Sequence, residues 1–349
     1  MELSAFDERR IAVCLGGLAD FSPDPDADDN DHGTVICGAS ETRAHIFWRY
    51  ADRYSRSEFR GARYKYYVRE AQALVRMVQS DAVFAVFPGD SRSRFPIPVF
   101  VKSRMIQDRD SPCVLLPLDR RRHWGDIRVV AQNDIPFRDK TDRLVWRGVT
   151  TGQFKSFDGR SVCSSRLHVA RLGTGRADID VGYSGIVQVD DTNSDIPLDT
   201  LRARLRPPLD LRQQLQSRYL LSLEGNDVAT GLKWMLFSNS AVLMPRPTCE
   251  SWACEGELVA FEHYIPVKDD LSDIEDVYDW CLTHPDACEE IAQNGKRYIE
   301  AFLDDARETE ILRRIISAYL SKAPYRLHFG LMERLLQALP RRSGISVPI

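Results

Sequence analysis

Short apolar runs bounded by turn residues punctuate this chain, and longer stretches between them place apolar residues three and four positions apart. Residues 35–40 (VICGAS) and 45–50 (HIFWRY) read as short strands. Residues 57–80 carry apolar positions at helical spacing opposite a polar face, which predicts an amphipathic helix. DAVFAVFPGD (81–90) is an apolar run closed by Pro-Gly, the pattern of a buried strand feeding a loop. IPVFVKSR (97–104) and CVLLPL (113–118) predict further core strands, and after the charged RDKTD (138–142) a new strand begins at RLVWRGVTTG (143–152). RYLLSLEGN (218–226) predicts a strand and turn, ATGLKWMLFSNS (229–240) a helix, and AVLMPR (241–246) a strand. Such a unit implies a parallel pair joined by a right-handed crossover. Residues 272–303 read as two amphipathic helices broken at Pro285, and 308–339 as helical again.

Strand and helix alternate in both halves, which predicts an α/β fold of two Rossmann-like domains facing a central cleft. The expected boundary falls in the charged stretch: residues 1–140 form one domain and 141–304 the other, with the C-terminal helix 305–349 joining the first. A chain of 349 residues suits two domains and a large core. A formal charge of -4 argues against a nucleic-acid protein.

The N-terminus has charges where a secretory apolar region would sit, and no apolar run approaches the ~18 residues of a membrane span. The expectation is a cytoplasmic protein. Eight cysteines without a C-x-x-C spacing suggest reduced core thiols. With seven scattered histidines, no metal site is expected. The Asp-rich stretch 24–33 reads as a solvated acidic loop, without the EF-hand spacing of its Gly and Glu.

Four places offer chemistry, each with an ordinary alternative. GNDVATG (225–231) precedes a predicted helix whose N-terminus would suit a diphosphate, with Lys233 adding a charge; alternatively Asp227 or Thr230 is a helix cap and Lys233 a surface residue. VWRGVTTG (145–152) sets Arg147 beside hydroxyl and amide donors, a phosphate-binding pattern or a polar turn. Asp90 follows an apolar strand, where a partly desolvated carboxylate would be a better general base, but Asp is also common in turns. PRPTCESWACEGEL (245–258) gathers Glu250, Glu255 and Glu257 around Trp252, which suits either a sugar or a helix start.

In order and content, RRHWGDI (121–127), VWRGVTTG (145–152), GNDVATGLKWMLFSNSAVLMPRPTCESW (225–252) and HYIPVKDDLSDIED (263–276) resemble glycosyltransferase family 90, the CAP10-like family, nearest its bacterial LpsA-type lipopolysaccharide branch. The resemblance runs from about Asp81 to about Phe302. It implies a GT-B-like fold and an inverting, metal-independent transferase using a UDP-sugar such as UDP-glucose or UDP-xylose. Asp90 matches the catalytic aspartate, although the family's Asp-aromatic-Pro here gives way to Ser91 and Arg92. Arg147 and Gly148 match the W/F-R-G element, with Thr151 beside them. Gly225, Asn226, Asp227, Thr230 and Lys233 match the phosphate loop, Lys233 standing in for an arginine. Glu250 matches an acidic position near the donor sugar, and Arg122, His123 and Trp252 are candidate cleft residues.

The implied partners are a UDP-sugar donor and a glycan or lipid-linked glycan acceptor, with no cofactor. Alternatives are a protein O-glycosyltransferase or a non-catalytic member that binds glycan or nucleotide sugar. YRLHFGLMERLLQALPRR (325–342) mixes apolar and basic residues, as either a membrane-surface anchor at the cytoplasmic face of the inner membrane or a packed helix.

Overall fold

The computed structural model describes residues 2–22, 35–38, 47–48, 62–155, 159, 161–173, 175–190, 194 and 196–323. The acidic stretch 24–33 and the basic segment 325–342 lie outside them. The chain begins with helix α1 (Ala5–Leu15), started by a reciprocal capping box between Ser4 and Asp7. Strands β1 (Val35–Gly38) and β2 (Phe47–Trp48) precede α2 (Ala62–Arg76), and then come β3 (Val83–Val86), β4 (Val99–Val101), β5 (Ser103–Met105), β6 (Cys113–Leu115) and α3 (Arg120–Asn133). The first sheet has the order β2-β1-β3-β4-β6. Its β3, β4 and β6 run parallel, while β1 pairs antiparallel with both neighbours.

The second half opens with β7 (Thr141–Val149), the hairpin of β8 (Gln153–Lys155) and β9 (Ser161–Cys163), and β10 (Ile179–Gly185). After the one-turn helices α4 (Leu198–Arg202) and α5 (Leu211–Leu215) come β11 (Ser217–Leu221), α6 (Leu232–Phe237), β12 (Ala241–Met244), β13 (Cys249–Ser251) and β14 (Ile265–Pro266). Helices α7 (Ile274–Thr283), α8 (Pro285–Glu300) and α9 (Asp305–Lys322) follow. Its five-stranded sheet, β10-β7-β11-β12-β14, is parallel throughout. Pro285 opens α8 at a position where its missing N–H costs no helical bond.

A parallel sheet covered on both faces needs near-continuous apolar strands, and period-two alternation sorts them. Leu144, Trp146, Tyr219, Leu221, Ala241 and Leu243 face one core, shared with α7 and the start of α8. Val145, Leu220, Val242 and Met244 face the other, which is continuous with the first sheet and includes α6 and the end of α8. The two sheets therefore share one of the two cores.

The expected elements are found among the described residues with several differences: the strand expected over 97–104 is split into β4 and β5, and the helix expected over 308–339 ends at Lys322, the rest of that stretch lying outside the described residues. The helix expected over 229–240 is only six residues long. Strand β10 was not expected, because its sequence IDVGYSG carries two glycines; a Cβ on Gly182 would stand 2.8 Å from the Arg204 carbonyl oxygen.

Helix α9 closes the first half from the far end of the chain. Tyr319 is fully buried, with its ring centroid 3.8 Å from that of Phe100, and its hydroxyl accepts from the Ala85 N–H at 2.9 Å. Glu308 receives both Arg10 terminal nitrogens, at 2.6 and 2.9 Å, and the Trp252 indole N–H at 2.8 Å. Arg10 also lies 3.8 Å from the Phe302 ring centroid. Breaking a buried pair strands the surviving charge at a cost of about 3–5 kcal/mol. Glu308→Ala should therefore lower the urea midpoint by that free energy divided by an unchanged slope, whereas pairing Glu308→Leu with Arg10→Met should recover most of the loss.

Candidate active site

The carboxyl ends of β11 and β12 open into a cavity of about 130 Å³ lined by Ser222, Glu224, Val228, Met244, Arg246 and Thr248, with Arg92, Ser164 and His168 arriving from neighbouring segments. Ligands of parallel sheets bind at this edge. Two loops meet there closely. Gly152 has φ +104°, which disfavours any other residue, and a Cβ on it would lie 2.7 Å from the Gly225 carbonyl oxygen. A Cβ on Gly225 would lie 2.7 Å from the Thr151 hydroxyl and 3.0 Å from the Arg166 guanidinium carbon.

Arg166 sits under this contact. It donates to the Thr151 hydroxyl at 2.8 Å and to the carbonyls of Val149 and Leu223 at 3.1–3.2 Å. Among the described residues no carboxylate stands within ion-pair distance of it. Burial, followed by repulsion from Arg122, pulls its pKa down to about 10. Its hydrogen-bond partners are all neutral oxygens. Nearby, the Ser222 hydroxyl and the Asn226 side-chain oxygen are buried without hydrogen-bond partners among the described residues.

Two further cations near the cavity, Arg92 and Lys102, are paired. Arg92, buried, donates to Glu224 and the Thr248 hydroxyl at 2.9 Å and to the Asn226 and Gly225 carbonyls at 3.2 Å, fixing the loop from inside. Asp90 lies on the loop after β3, and Lys102 immediately follows β4. The Lys102 ammonium is 2.5 Å from Asp90 and 2.8 Å from Asp227. Ser103 donates to Asp227 at 2.6 Å, and Arg122, at the start of α3, is 3.8 Å from Asp90. Burial opposes the charge on Lys102, but the two carboxylates outweigh it and raise its pKa. Asp90 is thus not the merely desolvated carboxylate of the sequence reading, because a buried cation stands against it.

The structure brings together Asp90, Arg122 and Asp227 around Lys102, and Thr151, Gly225 and Asn226 around Arg92 and Arg166. It directs other candidates elsewhere. Arg147 donates to Asp180, both to its backbone oxygen and to its carboxylate at 2.7 Å, and to the Pro207 carbonyl at 2.8 Å. Gly148 accommodates the Trp146 ring, which would lie 2.4 Å from a Cβ. Lys233 is buried against Glu255 at 2.5 Å. Glu250 is fully buried between Arg104 at 2.9 Å and Arg109 at 2.6 Å, with Arg109 also holding Glu257. Trp252 is buried against Glu308 and His123 is buried on α3.

Neither Asp227 nor Thr230 caps α6. The N-cap is Gly231, with no side-chain bond, and six residues make a weak dipole. The positive charge offered to a ligand here is therefore a guanidinium rather than a helix end. Sequence reasoning missed Arg166, which lies in SSRLHVARL without any motif around it, and Lys102, which follows an apolar run. Arg92 was visible only as a departure from a pattern.

All the described cysteines are reduced, and only Cys163 is exposed. Among the described residues no cluster of three or more His, Cys, Asp or Glu could hold a metal ion. Nor is any helix among them long and apolar enough to cross a membrane.

A family model described as Glycosyl transferase family 90 matches residues 160–325. The chain is 32% identical over 260 residues to O-glucosyltransferase LpsA of Dichelobacter nodosus, covering 73% of this chain and 72% of that protein. It is 29% identical over 181 residues to Uncharacterized protein 035R of Invertebrate iridescent virus 3, spanning 48% of this chain and 15% of that protein. With Uncharacterized protein 027R of Frog virus 3 (isolate Goorha) it shares 28% identity over 191 residues, 48% of this chain and 19% of that one.

The Lys233–Glu255 pair makes a pH prediction. Burial alone would raise the Glu255 pKa, but Lys233 and the Ser251 N–H outweigh it and hold it below the ordinary 4.5. A carboxylate lowered in the folded state contributes stability that is complete above its unfolded value and lost as pH falls through the folded one. Glu255→Gln should therefore be less stable than the parent at neutral pH. The gap, read from urea midpoints, should close from roughly pH 5 downwards.

Proposed function

The chain belongs to glycosyltransferase family 90 and is a glycosyltransferase, and from that premise we propose that it moves a glucose- or xylose-type sugar from a UDP-sugar to a hydroxyl of a lipopolysaccharide or other envelope glycan, with inversion and without a metal ion. Arg166 carries this reading. Its guanidinium, at the carboxyl edge of a parallel sheet, is held by carbonyls and a hydroxyl rather than by a carboxylate, which leaves its charge for an anion, and a diphosphate supplies one. The name of the Dichelobacter nodosus relative favours glucose over xylose.

The reaction follows from where the charges sit. The acceptor hydroxyl attacks the anomeric carbon from the face opposite UDP; the new C–O bond forms as the bond to the diphosphate breaks, and UDP leaves with the electron pair. Asp90 takes the acceptor proton. Arg166 meets the charge that grows on the diphosphate, so the protein's own cation does what a metal would otherwise do. Ser222 and Asn226 offer unsatisfied polar atoms to the nucleotide sugar.

The two five-stranded sheets fit a GT-B arrangement, with residues 1–140 on the acceptor side, 141–304 on the donor side, and the C-terminal segment from 305 returning to the first domain. The packing of α9 on the first sheet supports that division. We place the enzyme in the cytoplasm, with its acceptor on a glycan or lipid-linked glycan at the inner membrane surface.

Ligands that bind only the folded state raise its apparent stability. UDP and UDP-glucose should raise the melting temperature in the presence of EDTA while NAD leaves it unmoved; no response to UDP would overturn the donor assignment. Arg166→Met should weaken UDP binding at least tenfold by calorimetry, since a charge-assisted hydrogen bond is worth roughly 1.5–3 kcal/mol. Asp90→Asn should lose about 10²–10⁴ in turnover, measured as UDP released from UDP-glucose, with UDP affinity retained.

A further inference from the structure

The loop bearing Asp90 and the loop bearing Asp227 come from different sheets, yet one side chain joins them. Strands β3 and β4 are parallel, so their carboxyl ends emerge together. Asp90 follows the first and Lys102 follows the second. The ammonium reaches Asp90 at 2.5 Å and, on the loop from the other sheet, Asp227 at 2.8 Å. It is 2% exposed, so its charge is spent on these two groups rather than on water. Other titratable groups face the cluster: Arg122 of α3 stands 3.8 Å from Asp90, Tyr67 of α2 bears on Lys102, and Arg92 and Arg166 bear on Asp227.

We propose that Lys102 is a positioning residue for the transfer reaction: it holds the Asp90 carboxylate in place and keeps it ionised, and Asp227, by sharing the ammonium, sets how strongly. This rests on the reading of Asp90 as the base. A cation at contact distance favours the charged form of a carboxylate, and a second carboxylate disfavours it. Asp227 thus opposes Lys102, so that Asp90 remains able to accept a proton while being held in place. The structure assigns Asp227 to tuning the base, not to holding the donor.

The two groups must then act with opposite sign, which a purely structural role would not produce. The experiment follows UDP release from UDP-glucose by the full chain, with water as acceptor, and reads the acid limb of kcat against pH. Lys102→Met should move that limb upward by about one unit or more, and Asp227→Asn should move it downward. Lys102→Arg should leave it in place, and KM for UDP-glucose should change less than threefold in all three.

Shifts of opposite sign support the proposal. A limb unmoved in both Lys102→Met and Asp227→Asn, with turnover lost uniformly, overturns it. If Lys102→Met fails to fold, Asp227→Asn alone decides: a downward shift supports the proposal, and no shift or an upward one overturns it. Asp90→Asn, run beside them, separates the two levels. If it keeps full turnover, the base assignment falls and this proposal with it. If it is inactive while the limb stays fixed in the other variants, only the proposal falls.

Discussion

Three consecutive residues, Lys102, Ser103 and Arg104, hold the halves of this protein together. Lys102 and Ser103 bond Asp227, and Arg104 bonds Glu250. Strands β5 and β13 pair antiparallel alongside, with Arg104 opposite Glu250 in the register. Both cations are at most 2% exposed. Removing such charges from water costs several kcal/mol per ion, recovered only when partners are supplied in good geometry. Here the partners come from the other half. Either half alone would carry uncompensated buried charge as well as an uncovered face of apolar side chains, so the two sheets stand or fall as a unit.

That constraint explains how the charges around the cavity are distributed. Fixing the loops demands paired ions, and Arg92 with Glu224, Lys102 with its two aspartates, and Lys233 with Glu255 supply them. Arg166 is instead anchored by neutral oxygens. Those pairs fix the loops around Arg166, so that its charge is held in place before an anion arrives, which favours electrostatic stabilisation.

Much of this fold was legible because its strands are buried on both faces and so read as plain apolar runs: VFAV, CVLL and AVLM lie where the pattern put them. Strand β10 was not, since its glycines serve contacts with a distant segment that no local window contains. The site was legible in part. Asp90, Gly225 and Asn226 stood in turns after strands, where position itself carries meaning. The partner of a charged residue is a tertiary fact, however. Nothing local distinguishes Lys233, whose charge is consumed by Glu255, from Arg166, whose charge is not. Arg147 and Glu250 were given roles for the same reason, and the structure commits both to ion pairs outside the cavity.

Helix α9 has a consequence for how the molecule is made. The first sheet's central strands are completed by Tyr319, and α1 by Glu308, both synthesised after the entire second half. Ribosomes add roughly 5–20 residues per second. For tens of seconds, then, the N-terminal strands wait with apolar faces uncovered while later segments are translated. The first sheet therefore cannot reach its final packing before α9 has been made.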